Sequence, residues 1–267
     1  MLPLIHIGSF SIPSYGICMT IGIVVAFTVA YFRLKRRGGS FDSLLHVAAV
    51  ALAFGLCCAK LSYYIFSYGI CRLIFEVMSG DFSGFTDAGL VYYGGLIGGI
   101  IGAYIAIKTA KYNFHDYVNA MIPCVSLGHA FGRVGCMLAG CCYGLHYSGV
   151  FAIHSAYVDP SETLFPIQAV ESLLNIIIYI VLVLFTKKQR IGIITLSVYL
   201  ILYSVIRFIL EFFRGDHIRG IYWGISTSQW ISSLLIIFSV IVIAWFRKTS
   251  SNPPQAHPIH EGDQPCQ

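Results

Sequence analysis

The sequence predicts an all-α integral membrane protein, a bundle of about seven transmembrane helices with the N-terminus outside and the C-terminus in the cytoplasm. Three observations carry this. The 267 residues are 57% hydrophobic and only 11% charged, with a mean hydropathy of +0.76, whereas a soluble domain carries about a quarter charged residues. The apolar residues gather into runs near 20 residues, the length that crosses a bilayer as a helix. Finally, 11 of the 17 Lys and Arg residues fall in alternate connections between those runs, the bias that marks cytoplasmic loops.

The runs lie near 14–32, 44–66, 90–107, 117–135, 166–186, 191–212 and 228–246. Arg33, Lys35, Arg36 and Arg37 follow the first, Lys108 and Lys111 the third, Lys187, Lys188 and Arg190 the fifth, and Arg247 and Lys248 the seventh. These ends are therefore cytoplasmic, and residues 136–165, which lack Lys and Arg, form the largest outer connection. The opening MLPLIHIGSF has no basic stretch of the kind that precedes a removable signal core, so the first run is expected to stay as an anchor. Residues 1–248 are expected to form one transmembrane domain. The polar, Pro-rich tail 249–267 is expected to be disordered in the cytoplasm. The basic residues sit at helix ends, which gives no nucleic-acid surface. No internal repeat points to an inverted-repeat transporter.

Three cations interrupt the apolar runs: Lys60, Arg133 and Arg207. A charge inside a span is costly and marks a pathway or a site. Arg207 belongs to YSVIRFILEFFR, where Tyr203, Arg207 and Glu211 share one helical face and Arg214 follows a turn later. Fixed positive charge at this depth fits an anion, and a phospholipid head group is the natural one. The structural alternative is an Arg207–Glu211 pair that only neutralises itself.

Other segments add to this. In FPIQAVE, Pro166 suits a helix start, and Gln168 and Glu171 share a face, the carboxylate calling for a cationic partner. In SLGHAFGRVGCMLAGCCYG, His129 lies one turn before Arg133, and the glycines through Gly144 imply irregular backbone, tolerated at membrane depth only where it lines a cavity. In GLVYYGGLIGGIIGAYIA, Gly94/Gly98, Gly95/Gly99 and Gly98/Gly102 are small-xxx-small pairs, a sign of close helix packing that also lets a ligand approach near Tyr92 or Tyr93. Polar STSQ, ending in Gln229, opens the last span at the same level. Cys136, Cys141 and Cys142 raise a metal or redox reading, but zinc asks for four ligands at recognisable spacing. The default is that they are small packing residues, with no metal or cofactor.

These segments, in this order, resemble the prolipoprotein diacylglyceryl transferase family over nearly the whole chain. The resemblance is carried by Tyr15-Gly16, Lys60 with Tyr63, Gly94-Gly95, Gly132-Arg133-x-Gly135, Pro166-x-Gln168-x-x-Glu171, Arg207 through Glu211 to Arg214, and Ser226 with Gln229. It implies an enzyme of the bacterial inner membrane, multi-pass, that moves a diacylglyceryl group from phosphatidylglycerol to the thiol of a lipobox cysteine in a prolipoprotein, without a cofactor. By resemblance Arg133 and Arg207 grip the lipid phosphate, with Tyr203, Tyr93 and His129 as the other catalytic candidates. Tyr15, Lys60, Gly94, Gly95, Gly144, Gln168, Glu171, Glu211, Arg214 and Gln229 are then the substrate-binding candidates. A single bundle of this kind can work as a monomer among membrane lipids.

The chain departs from the family pattern on the thiol-activating side. Tyr93 stands where the family has a histidine, and a phenol that titrates near pH ~10 is a poor base at neutral pH. Cys136, Ala139 and Cys141 replace two asparagines and a glutamate, Phe165 replaces a histidine, and Lys60 replaces an arginine. His129 is a substitute candidate for the base. Two other function classes stay open at this level: a membrane thiol–disulfide protein using Cys136, Cys141 and Cys142, and a phospholipid-binding relative without catalysis.

Overall fold

The computed structural model describes residues 4–7, 10–69, 78–79, 91–155, 158–159, 161–188, 191–215 and 221–251. Helices form at all seven apolar runs: α1 (Ser14–Lys35), α2 (Phe41–Tyr68), α3 (Tyr92–Thr109), α4 (Phe114–Ala139), α5 (Ile167–Lys188), α6 (Gly192–Leu210) and α7 (Thr227–Ser251). Six of them are long and apolar enough to cross a membrane, whereas α3 offers a shorter apolar stretch, Gly94–Thr109. Two small antiparallel hairpins depart from the all-helical expectation. One pairs β1 (Leu4–Ile7) with β2 (Phe10–Pro13), the other β3 (Ile221–Tyr222) with β4 (Ile225–Ser226). Helix α7 runs three residues past the expected start of the tail, to Ser251; residues 252–267 lie outside the described residues.

The bundle is turned inside out relative to a soluble protein. Large apolar side chains such as Leu52, Ile97 and Ile237 face outward, while Asn119, Ser126, Gln168, Asn175 and Thr195 are buried. Buried polar groups hold a fold only when their hydrogen bonds are made. Along the α4–α5 seam the Ser126 hydroxyl donates to Asn175 O (2.8 Å), Ser172 to Ala130 O (3.0 Å), and the Asn175 amide to Glu171 O (2.8 Å). The pairings run in opposite directions along the two helices, so α4 and α5 are antiparallel.

Pro123, inside α4, has no N–H to give to the carbonyl one turn earlier, that of Asn119. Arg33 of α1 fills the gap, its guanidinium donating to Asn119 O (2.9 Å), Ala120 O (3.1 Å) and the Thr186 hydroxyl (2.8 Å). Arg37 adds a bond to Thr186 O (2.8 Å) and a pair with Asp116 (3.2 Å). Two of the cations that follow the first apolar run thus tie α1 to α4 and α5.

Glycines set two close helix crossings. On α3, a Cβ at Gly98 would lie 2.5 Å from both Phe54 O and Cys58 Cβ of α2, and one at Gly102 would lie 2.7 Å from Phe54 Cβ. Between α1 and α4, a Cβ at Gly22 would meet Phe131 Cβ at 2.6 Å, and Tyr15 fills the space beside Gly135. Gly98→Ala is expected to lower the thermal midpoint in detergent, by an overpacking cost of about 1–3 kcal/mol. Gly99→Ala, whose Cβ would meet only Ala51 O at 3.6 Å, is expected to leave it unchanged. Equal midpoints for the two variants would contradict this packing.

Candidate functional site

One end of the bundle gathers the charged side chains that the apolar sequence otherwise excludes. Arg133 comes from the last turns of α4, Glu171 from the first turns of α5, Arg207 from the end of α6 and Ser228 from the start of α7. Because α5 begins where α4 ends, and α7 begins where α6 ends, four helix termini converge here. This end is opposite the one bearing Arg33, Lys35, Lys187 and Lys188.

Glu171 is the hub, with only 1% of its surface exposed. Its Oε1 lies 3.0 Å from an Nη of Arg133 and 3.9 Å from His129 Nε2, and its Oε2 lies 4.0 Å from Arg207 Nη1. Arg207 Nη2 pairs with Glu211 Oε2 at 2.9 Å and donates to the Ser228 hydroxyl at 3.3 Å. The self-neutralising Arg207–Glu211 pair is therefore present, but it engages only one nitrogen. Arg207 Nη1 is buried and makes no hydrogen bond among the described residues. With Arg214, three guanidiniums meet two carboxylates, Glu171 and Glu211, among the described residues, which leaves positive charge in surplus there.

His129 is placed differently from a free base. Arg133 Nε donates to its Nε2 at 3.3 Å, so the acceptor side of the ring is already engaged by a cation and the ring proton is assigned to Nδ1. Its ring tilts against Tyr203 at 5.2 Å, and Tyr203 in turn stacks on Tyr199 at 6.1 Å. The histidine expected as a substitute base thus sits in contact with Arg133. Its geometry makes it a support for Arg133.

Arg214 also departs from the single helical stripe. Helix α6 stops at Leu210, a tight 3₁₀ turn covers Glu211–Phe213, and Arg214 leaves in extended conformation, bridged to Gly144. Around it the loop after α4 is laced to neighbouring backbone: Leu145 N donates to Phe213 O (3.0 Å), Gly215 N to Tyr143 O (3.1 Å) and Phe165 N to Leu145 O (2.9 Å). A Cβ at Gly144 would lie 2.6 Å from Phe165 O. Gly144 thus lets three chain segments meet, and its space is filled by backbone.

Gln168, fully buried, donates to Cys141 O at 2.8 Å, while its Oε1 has no hydrogen-bond partner among the described residues. Gln229 serves a local cap: its Oε1 accepts from Ser226 N (3.0 Å) and its own N–H bonds the Ser226 hydroxyl (3.2 Å). Lys60 is half-buried on α2, and Gly94 and Gly95 pack against that same helix, a Cβ at Gly94 clashing with Ser62 and Cys58. The Tyr93 side chain lies outside the described residues. Tyr15, against Gly135, is within electrostatic reach of Arg133 and of Cys136, Cys141 and Cys142.

Those three thiols come together. Helix α4 ends on Gly140 in the left-handed region (φ 82°), Cys141 N returns to Cys136 O (3.2 Å), and Cys142 is itself left-handed (φ 59°). The three Sγ atoms lie within 4.8 Å of one another. A hydrogen bond from Cys136 and the guanidiniums of Arg214 and Arg133 hold the Cys142 thiol below its ordinary range, against the opposing effect of burial. Sequence reasoning missed Ser155, whose hydroxyl donates to Gly140 O at 2.6 Å and braces this turn. It lies in a loop with no local signal. Ser228 was signalled only as part of polar STSQ.

Glu171→Gln removes the charge facing both guanidiniums. Breaking a buried pair on one side costs about 3–5 kcal/mol, so thermal unfolding in detergent is expected to shift clearly downward. An unchanged midpoint would show that Glu171 is not the hub.

The family model described as prolipoprotein diacylglyceryl transferase matches residues 3–245. The chain is 33% identical to a phosphatidylglycerol–prolipoprotein diacylglyceryl transferase of Clostridium tetani over 250 residues, covering 92% of this chain and 98% of that protein. It is 30% identical to phosphatidylglycerol–prolipoprotein diacylglyceryl transferase 2 of Clostridium perfringens, covering 89% and 92%, and 33% identical to the Clostridium novyi enzyme, covering 86% and 89%. The chain belongs to the prolipoprotein diacylglyceryl transferase family.

Proposed function

We propose that the chain transfers the diacylglyceryl group of phosphatidylglycerol to the cysteine thiol of a prolipoprotein lipobox, with Arg133 and Arg207 binding the lipid phosphate. The observation that carries this is Arg207 Nη1, a buried guanidinium nitrogen with no hydrogen-bond partner among the described residues, 4.0 Å from Glu171 Oε2. Guanidinium N–H groups make charge-assisted hydrogen bonds to phosphate oxygens, and those of Arg207 Nη1 are the ones open to a phosphate entering here. Its acyl chains then lie along the apolar outer surface of the helices, where Leu52, Ile97 and Ile237 are exposed.

In the reaction the acceptor sulfur attacks the glycerol carbon that carries the phosphate. The C–O bond breaks, its electron pair leaves with glycerol phosphate, and a thioether forms. The leaving phosphate gains a second negative charge, which buried guanidiniums stabilise more strongly than water-exposed ones. Glu171 and Glu211 hold Arg133 and Arg207 in place before lipid arrives. Tyr203 packs at the arginines, Arg214 adds charge at the loop side, and Tyr15 borders the same end. Lys60, Tyr93, Gly94 and Gly95 complete the substrate face from α2 and α3, while Gln168, Gly144 and Gln229 shape the loops around it. The seven helices span a bacterial inner membrane as one domain, residues 1–248, N-terminus outside, and the chain works as a monomer. The site then opens toward the side on which secreted prolipoproteins emerge.

The test uses purified protein, phosphatidylglycerol and a lipobox peptide with a free cysteine, following glycerol phosphate release and peptide mass. Arg207→Ala is expected to lower turnover by about 10²–10³-fold, the usual loss of one charge-stabilising donor, while helix content is retained. Arg133→Lys is expected to recover little, because an ammonium cannot reproduce the fork. Lipid binding without release of glycerol phosphate by the unaltered protein would make it a binding relative instead.

A further inference from the structure

We propose that Cys136, Cys141 and Cys142 form a three-thiolate site for one Zn²⁺ ion, whose open fourth position takes the thiol of the acceptor cysteine. The proposal deepens the transferase reading and rests on it.

Geometry comes first. The three Sγ atoms lie within 4.8 Å of one another. Zinc–sulfur bonds of about 2.3 Å place the sulfurs of a tetrahedron about 3.8 Å apart, so modest side-chain rotation closes the set. No fourth Cys, His, Asp or Glu joins them among the described residues. Three protein ligands with one open position is the arrangement of a catalytic zinc, whereas structural zinc takes four.

The turn that gathers the thiols is built, and one of its residues is held against its preference. Cys142 adopts φ 59°, a conformation that costs a non-glycine residue of order 1 kcal/mol and persists only where surroundings enforce it. The enforcement is visible in the bonds Ser155 Oγ to Gly140 O (2.6 Å), Gln168 Nε2 to Cys141 O (2.8 Å) and Gly215 N to Tyr143 O (3.1 Å). Without the left-handed turn at Gly140 and Cys142, the chain would not return the second and third sulfurs over Cys136. Arg214 hydrogen-bonds Cys142, and Arg133, one turn before Cys136, adds positive potential. The two cations offset the charge of three thiolates.

Chemistry supplies the need. A lipobox thiol must lose its proton to attack, and the position expected to hold a base carries Tyr93. His129, the substitute candidate, has its Nε2 engaged by Arg133. Coordination to zinc deprotonates a thiol outright. The acceptor thiol would release its proton to water on binding, keep its sulfur nucleophilic, and attack the glycerol carbon. The C–O bond breaks toward the phosphate held by Arg133 and Arg207, and the new thioether, a neutral and weak ligand, leaves the metal. An alternative in which a cysteine of the chain itself carries the diacylglyceryl group fails chemically: that first transfer would also make a thioether, and its carbon–sulfur bond does not break again under these conditions.

Cobalt(II) in place of zinc gives a readout apart from activity. The reduced full-length protein in detergent is expected to bind one equivalent of Co²⁺ with the strong visible absorption of a tetrahedral thiolate site. A lipobox peptide with a free cysteine is expected to change that spectrum, and its serine analogue is not. Cys136→Ala and Cys142→Ala are expected to abolish stoichiometric binding, and Cys57→Ala to leave it intact. Chelation should abolish glycerol phosphate release, with zinc restoring it. No cobalt binding by the reduced protein, a native Cys–Cys disulfide within the cluster, or transfer that survives both chelation and Cys142→Ala would overturn the site while leaving the transferase reading standing. A spectrum that responds to the peptide with no lipid product at any metal load would keep the metal site and overturn the transferase reading.

Discussion

Glu171 is a carboxylate with 1% of its surface exposed, inside a bundle whose outer face is built for lipid. An isolated charge in such a place is untenable, because removing it from water costs far more than any local packing returns. The cost is offset by Arg133 at 3.0 Å and Arg207 at 4.0 Å, and these come from helices on either side. The carboxylate therefore specifies which ends of α4, α5 and α6 must meet. Glu211 and Ser228 extend the constraint to α7 through Arg207. In this sense the candidate site and the tertiary fold at this end are one network.

The same network is unbalanced on purpose-bearing atoms. Arg207 has Nη2 tied to Glu211 and Ser228, while Nη1 is buried without a hydrogen bond among the described residues. A buried donor left open costs stability unless a ligand satisfies it. In the proposed reaction the lipid phosphate is the ligand that accepts from this nitrogen. The polar seam of α4 and α5, from Ser126–Asn175 to Ala130–Ser172, keeps the helices in the register that delivers Arg133 opposite Glu171. At the far end Arg33 repairs the break at Pro123. The α2–α3 pair, locked by the glycines at 98 and 102, is a separate close-packed unit beside this frame.

Much of this was legible in the sequence, and the reasons are local. Runs of apolar residues locate helices because a bilayer core offers the backbone no other partners, and the intramembrane charges at 133, 171 and 207 stand out against that background. Helical spacing correctly paired Arg207 with Glu211. It misplaced Arg214, because a 3₁₀ turn and an extended exit replace the helix after Leu210, and nothing in the local pattern marks that stop. It also left His129 as a candidate base, since a one-turn spacing from Arg133 does not reveal which ring nitrogen the guanidinium occupies. The two short hairpins were not signalled, each being only a few residues long. The gathering of Cys136 with Cys141 and Cys142 depends on left-handed backbone at Cys142, a non-glycine residue for which sequence gives no such expectation.

The central claim is that the buried guanidiniums around Glu171 are the phosphate seat. Its most direct test is an experimental structure of the protein in a bilayer disc containing phosphatidylglycerol. The account predicts the lipid phosphate within hydrogen-bond reach of both Arg133 and Arg207, with Arg207 Nη1 donating to it. A phosphate bound elsewhere, with both arginines still closed on Glu171 alone, would contradict it.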